Sequence, residues 1–286
     1  MISNKTAWAT FGPTSLFVLL WSSGALFSKL GLQHASPFAF LSLRFALALA
    51  VLLALGLATR RYLPARGTRV QVALTGLLMI GSYSICHLLA LDHGLTPGVL
   101  ATVLGVQPIL TLALTERQAF SGRRLTGLGL ALAGLVLVVY ESIARANFTV
   151  IGMLFAFGAL VCVTLGAILQ KSIRQAPREV LPLQLGCSLL LCLLFAPFQP
   201  MTADLSLDFW VALVWMGVVM SVVATLLLYR LIHAGNLVNV TSLFYLVPVG
   251  TALLDYVVLG NRLAPLSLAG MLTILLGLQQ VFRKTT

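Results

Sequence analysis

Apolar residues run through this chain in blocks of about twenty, and charged or turn-forming residues stand between the blocks rather than inside them. A helix needs about 20 apolar residues to cross the hydrocarbon core of a bilayer. Reading block by block predicts ten spans, at roughly 12–31, 37–58, 70–91, 96–116, 124–141, 149–171, 179–197, 209–230, 236–257 and 264–281. No connection is long enough to fold alone, so the chain reads as one all-α membrane domain.

Two stretches break this pattern in the same way. His93–Pro108 and His233–Pro248 each run from a histidine through a turn into an apolar run that reaches a proline, and they lie 140 residues apart. Two weaker alignments follow in order, Ser23–Lys29 with Leu165–Lys171 and Gly122–Leu125 with Gly260–Leu263. Ten spans with that offset divide into five and five. A repeat with an odd number of spans enters the membrane in opposite senses, so 1–145 and 146–286 are expected to be inverted five-helix repeats.

Charge between the blocks supplies orientation. Fourteen of the eighteen Lys and Arg fall on the side shared by both termini and alternate loops, whereas Arg145 and Arg262 alone lie opposite. Basic residues resist translocation, which places the rich side and both termini in the cytoplasm. Lys29 and Arg44 complete the eighteen and sit within spans.

Composition changes the picture mainly by exclusion. Of 286 residues, 59% are hydrophobic and 9% charged, whereas a soluble domain carries about a quarter charged. The net charge of +11 is confined to short loops, so orientation explains it and a nucleic-acid partner is not expected. Cys86, Cys162, Cys187 and Cys192 fall inside apolar runs without metal-ligand spacing, so neither a disulfide framework nor a metal site is expected. A nucleotide-binding phosphate loop and the common hydrolase signatures are missing from the sequence, so no cofactor, no nucleotide drive and no enzyme activity are expected. Lys5 and the apolar run Leu16–Trp21 resemble a secretory signal. The run continues through Phe27, however, and cleavage would leave an odd number of spans, so it reads as a retained first span.

Candidate chemistry lies among polar residues inside spans, where leucine would have been cheaper. Spans one, three, four, six, eight and nine carry such faces, and these are counterparts under the repeat; spans two, five, seven and ten look plain. The candidates for a substrate site are Trp21, Tyr83 and Tyr245 as flat apolar surfaces, with Ser22, His87, Gln107, Thr111, Asn239 and Ser242 as polar groups that orient a cargo. Lys29 or Arg44 would attract an anionic group, and Pro108 and Pro248 would act as hinges, each freeing a carbonyl four residues back. The bland alternatives are Ser and Thr hydroxyls bonded to their own helix, Lys171 snorkelling, Trp210 and Trp215 as interface anchors, and His93 and His233 as turn residues. The ladder Ser42, Ala46, Ala50, Ala54, Ala58 in span two is predicted to be a helix-packing face, as are the pairs Gly127/Ala131 and Gly129/Ala133 in span five.

With those residues in view, the chain resembles the EamA-type members of the drug/metabolite transporter superfamily. Leu91–Pro108 and Leu231–Pro248 carry the resemblance: a span ending in a short turn, then a helix with a mid-span proline. One departure is that Arg123 and Asn261 stand where the family often has a glutamate after these helices. The resemblance implies ten helices from an inverted duplication and a carrier, similar to the YddG-type aromatic amino-acid exporters. The expected function is therefore a secondary transporter in a bacterial inner membrane, a monomer in the lipid bilayer, exporting amino acids or similar small amphipathic metabolites by alternating access around a central cavity. Efflux of drugs or toxic metabolites is the alternative, ahead of a channel or an intramembrane enzyme. No glutamate lies at mid-membrane, and Asp255 and His87 stand near the outer ends, so facilitated diffusion is expected rather than proton exchange.

Overall fold

The computed structural model describes residues 4–59, 63–116, 121–144, 149–259 and 264–283. Ten helices cross its length: α1 (Asn4–His34), α2 (Pro37–Thr59), α3 (Arg66–Asp92), α4 (Pro97–Thr115), α5 (Gly122–Val138), α6 (Val150–Ser172), α7 (Pro177–Phe195), α8 (Leu207–Ala234), α9 (Leu237–Leu254, its final segment reaching Leu259) and α10 (Pro265–Phe282). Each matches one predicted span to within a few residues, except that α1 begins eight residues earlier than expected. Among the described residues, nine helical stretches are long and apolar enough to cross a bilayer. The tenth, α5, has 17 residues, about 26 Å at 1.5 Å per residue. The Gly260–Leu263 half of one predicted alignment, and with it Asn261 and Arg262, lies outside the described residues, as do Arg60, Arg61, Arg117, Arg145 and Lys284.

Local chemistry sets where helices begin and end. Pro37, Pro97, Pro177 and Pro265 open α2, α4, α7 and α10, where a missing N–H costs nothing. The end of α3 is a Schellman motif: Gly94, at φ 88°, donates its N–H to Leu91 O at 3.0 Å, and Leu95 N–H reaches Ala90 O at 3.1 Å. His93 is the residue before that glycine, and its carbonyl accepts from Thr149 Oγ1 at 2.6 Å.

Irregularities recur at counterpart places. α3 winds as a π-helix over Leu77–Ser82, and α8 does so over Trp215–Ala224. α4 breaks at Gly105–Val106 before Pro108, and α9 tightens to 3₁₀ over Leu243–Tyr245 before Pro248. In both, proline sits in the first turn of the segment that follows, where it is tolerated.

The chain forms two compact units, each assembled from both halves. The first takes Met1–Ile85 and Leu165–Ala234. Within it α2 packs on α8 while α7 packs on α3, an exchange of counterparts, and α1 lies along α8. Its loops are stapled at two places: Ser36 N–H donates to Thr202 O at 2.8 Å, and Ala65 N–H donates to Gln175 Oε1 at 2.9 Å.

The second unit takes Cys86–Thr164 and Gly235–Thr286. Here α5 and α10 meet backbone to backbone. A Cβ on Gly127 would lie 2.8 Å from Gly277 O, and one on Gly134 would lie 2.7 Å from Gly270 O. Rising along one helix means descending the other, so these repeat counterparts run antiparallel, as inverted halves require. The Gly127/Ala131 prediction describes this contact. Gly129 and Ala133 are instead exposed, one turn of the wheel away.

The span-two ladder is also corrected. Ser42 is buried, but Ala46, Ala50 and Ala54 are exposed, and Ala58 is a residue of whose side chain nothing is described. The packed face of α2 is Leu41, Phe45, Ala48 and Leu52. Lipid is as apolar as leucine, so no hydrophobic force turns alanines inward, and large side chains that interdigitate win the contact.

Candidate functional site

In the first unit the candidates lie on α1, α2 and α3. Trp21 is half-buried and packs, with Phe27 and Leu30, onto a core of Phe40, Phe209, Met216 and Met220. Its ring centroid is 4.6 Å from that of Phe17. Ser22 beside it is buried. Lys29, two turns on, is exposed. Trp215, expected at the interface, is instead half-buried against α1: its ring stacks on Phe27 at 4.5 Å and its indole N–H donates to Ser23 Oγ at 3.1 Å. The indole N–H finds an acceptor inside, so it has no need of the headgroups. Trp210 remains exposed.

Arg44 and Tyr83 are neighbours in the same unit and interact electrostatically. Arg44 donates from Nε to Ser221 Oγ at 2.7 Å, and its guanidinium carbon lies 5.8 Å from the Phe45 ring centre. Ser221 in turn donates to Met216 O at 2.9 Å, five residues back, the reach of a π-helical turn. Thr225 repeats this on Met220 O at 3.0 Å.

The second unit holds the remaining candidates. His87 is half-buried on α3. Gln107 opens the second segment of α4 and is 6% exposed, with Pro108 buried beside it. Thr111 spends its hydroxyl on Gln107 O at 2.8 Å, and Ser242 spends its own on Val238 O at 2.7 Å. Both have thus taken the bland role open to intramembrane hydroxyls. Tyr245 is buried, and its phenol donates to Gly105 O. Residue 245 is the 140-offset counterpart of 105, so the breaks in the two helices meet directly through this hydrogen bond. Pro248 follows, half-buried, within the last segment of α9.

Asn239 belongs to a polar knot. Arg124 donates to Glu116, to Asn236 Oδ1 at 2.9 Å and to Asn239 Oδ1 at 3.3 Å, while Asn236 Nδ2 donates to Glu116 Oε1 at 2.6 Å. Asn236 also caps α9 by accepting from Asn239 N–H at 3.1 Å. The acid here is Glu116, eight residues before Arg124 on the other side of the loop.

Sequence reasoning passed over a second network because span seven looked plain. Tyr229 Oη donates to Gln184 Oε1 at 2.7 Å, and Gln184 Nε2 donates to Gln170 Oε1 at 2.8 Å; all three residues are fully buried. The available signal was Gln184 itself, an amide amid leucines. Lys171 holds the end of α8, donating to Ile232 O at 2.6 Å and to His233 O at 3.0 Å, rather than reaching for the headgroups. A cation there also favours the helix dipole. Among the described residues, no three His, Cys, Asp or Glu side chains gather closely enough to hold a metal ion.

Comparison with known proteins adds three findings. The model of the EamA-like transporter family matches residues 14–140 and, separately, residues 150–282. No curated protein sequence matches significantly. A solved structure titled "Crystal structure of protein" superposes with a TM-score of 0.80 at 21% identity, covering 96% of this chain and 98% of that one; at that identity the likeness speaks for the fold alone.

Proposed function

Because the chain belongs to the EamA-like transporter family, which makes it a multi-pass membrane transporter, we propose that it is a secondary carrier exporting amino acids or similar small amphipathic metabolites by alternating access across a bacterial inner membrane. The observation that carries this reading is the matched pair of interrupted helices, α4 broken at Gly105–Val106 and α9 at Leu243–Tyr245. Irregular backbone at membrane depth is tolerated where it is buried in protein or lines a cavity, and in secondary transporters such discontinuous helices form the cargo site. In the first unit Trp21 and Tyr83 offer half-buried aromatic surface for an apolar cargo body; in the second, taken by itself, His87, Gln107 and Asn239 offer polar groups. Pro108 and Pro248 keep each break from healing into a regular helix.

The test is counterflow in liposomes holding the purified protein, with a panel of amino acids, nucleosides and drugs. Saturable uptake of amino acids or similar small metabolites, competed by related molecules, is the expected result. Flux that neither saturates nor shows competition would identify a channel instead. A panel in which drugs alone exchange would replace the metabolite reading with efflux.

A further inference from the structure

A charge inside a membrane-spanning helix is costly and persists where it has a partner or serves a pathway. Arg44 stands seven residues into α2, about 10 Å along it from Pro37. Its reach ends at Ser221, midway along α8, so it points inward rather than snorkelling to the headgroups. Nε is held by Ser221, whose own proton is committed to Met216 O. That uses the hydroxyl in both directions and fixes the guanidinium from one edge. Tyr83 is its electrostatic neighbour, but among the described residues no hydrogen-bond acceptor meets its two terminal nitrogens and no carboxylate lies within ion-pair distance. What remains is a planar fork of N–H donors, half-buried and held at its base.

The repeat supplies a control. The 140-offset counterpart of Arg44 is Gln184, and the two occupy the same scaffold position. A Cβ on Gly76 of α3 would meet Gln184 Cα at 2.5 Å, and one on Gly217 of α8 would meet Arg44 O at 3.3 Å. Gln184 is fully buried with both ends of its amide satisfied within the protein. The scaffold therefore accepts a neutral, closed side chain at this position. The charge and the open donors at Arg44 need another explanation.

We propose that Arg44 receives the carboxylate of the transported molecule, with Ser221 as its positioning residue, so that the cargo is an acid or zwitterion rather than a neutral amide or an amine. A guanidinium held by Nε presents its terminal nitrogens in the geometry that matches the two oxygens of a carboxylate. This rests on the carrier reading above and narrows its cargo. The headgroup of an anionic phospholipid offers the same oxyanion chemistry, and the experiment separates the two sources.

Wild type, Arg44→Met, Arg44→Lys and Ser221→Ala are reconstituted in liposomes of neutral phosphatidylcholine alone and with anionic phosphatidylglycerol. Counterflow of aromatic and aliphatic amino acids is compared with that of their amides and decarboxylated amines. Thermal shifts of the detergent-solubilised proteins with the same compounds report binding independently. In wild type the acids are preferred in both lipids. Arg44→Met raises KM for the acids by roughly ten- to a hundred-fold, the worth of a charge-assisted hydrogen bond, and leaves the amides unchanged. Arg44→Lys recovers part of that loss because it keeps the charge without the fork. Ser221→Ala raises KM for the acids alone by several-fold, which a general packing defect would not do. Both milder variants keep the test alive where Arg44→Met does not fold.

Equal discrimination of acid from amide in wild type and every Arg44 variant overturns the assignment while leaving the carrier intact. An acid preference that appears in one lipid and vanishes in the other also overturns it, because the oxyanion is then the lipid's. If wild type moves nothing but acids stabilise it through Arg44, the carrier reading fails and the receptor stands. If wild type neither moves these compounds nor gains stability from acids, both fail.

Discussion

Tyr245 shows how one side chain can stabilise an interruption that a proline creates. Pro108 has no N–H to offer the carbonyl four residues back, at Leu104, and a turn at Gly105–Val106 separates the two segments of α4. The Tyr245 phenol donates to Gly105 O from the counterpart break. Tyr245→Phe keeps the ring and removes the donor, and it is expected to cost about 1 kcal/mol, read as a lower unfolding temperature in detergent. Gly105→Ala is expected to cost no more than that, because the Leu135 Cδ2 that a Cβ would meet at 2.5 Å ends a flexible side chain that can swing aside. An unchanged melting temperature in Tyr245→Phe would show that water, not the phenol, satisfies that carbonyl.

Helix limits and breaks were legible in the sequence because each follows from local covalent chemistry. Proline lacks an N–H, Gly94 tolerates a positive φ, and polar residues punctuate apolar runs. The face each helix presents was less legible. In lipid the contrast between inside and outside is weak, so small size alone did not tell Gly127 from Gly129, or Ala46 from Ala48. The π-helical winding of α3 and α8 was not read from the sequence, since it depends on backbone N–H groups such as that of Thr225 reaching a carbonyl five residues back, here Met220 O. The candidate site was legible as residue types and not as partnerships: Thr111, Ser242 and Tyr245 stood out, but their hydroxyls are spent on backbone carbonyls. For the α5–α10 pair the stakes are measurable. Gly134→Ala is expected to destabilise the protein by about 1–3 kcal/mol, because backbone atoms cannot move aside as a flexible side chain would. Gly129→Ala, with nothing within 4 Å of its Cβ, should be neutral or slightly stabilising. Equal effects in melting temperature and yield would refute the proposed contact.

At the scale of the whole chain, the halves defined by sequence and the units defined by packing are different partitions. The family matches fall on 14–140 and 150–282, whereas each compact unit draws helices from both. α5 lies on its own counterpart, α10, through Gly127, Gly134, Gly270 and Gly277, so a single small-residue pattern serves both sides of one contact. Expressed alone, 1–145 or 146–286 therefore lacks the partners for every one of these surfaces. Each fragment is expected to be degraded when produced singly, and the two co-expressed fragments to recover a folded, co-purifying protein. Stable accumulation of one fragment by itself, shown by monodisperse gel filtration, would contradict this.

That shared construction bears on how the chain comes to exist. During synthesis α1 to α3 enter the bilayer long before α6 to α8 are made, so the first helices must wait in lipid, protected by their own regular backbone bonding, until their partners arrive. It bears equally on ancestry. A half-length gene product has the right surfaces for this architecture only if two copies insert in opposite directions, one the other way up. Fusing two such genes would remove the need for one sequence to satisfy both orientations. In such a fusion the two counterpart positions would be free to carry a charge in one half, at Arg44, and a neutral amide in the other, at Gln184.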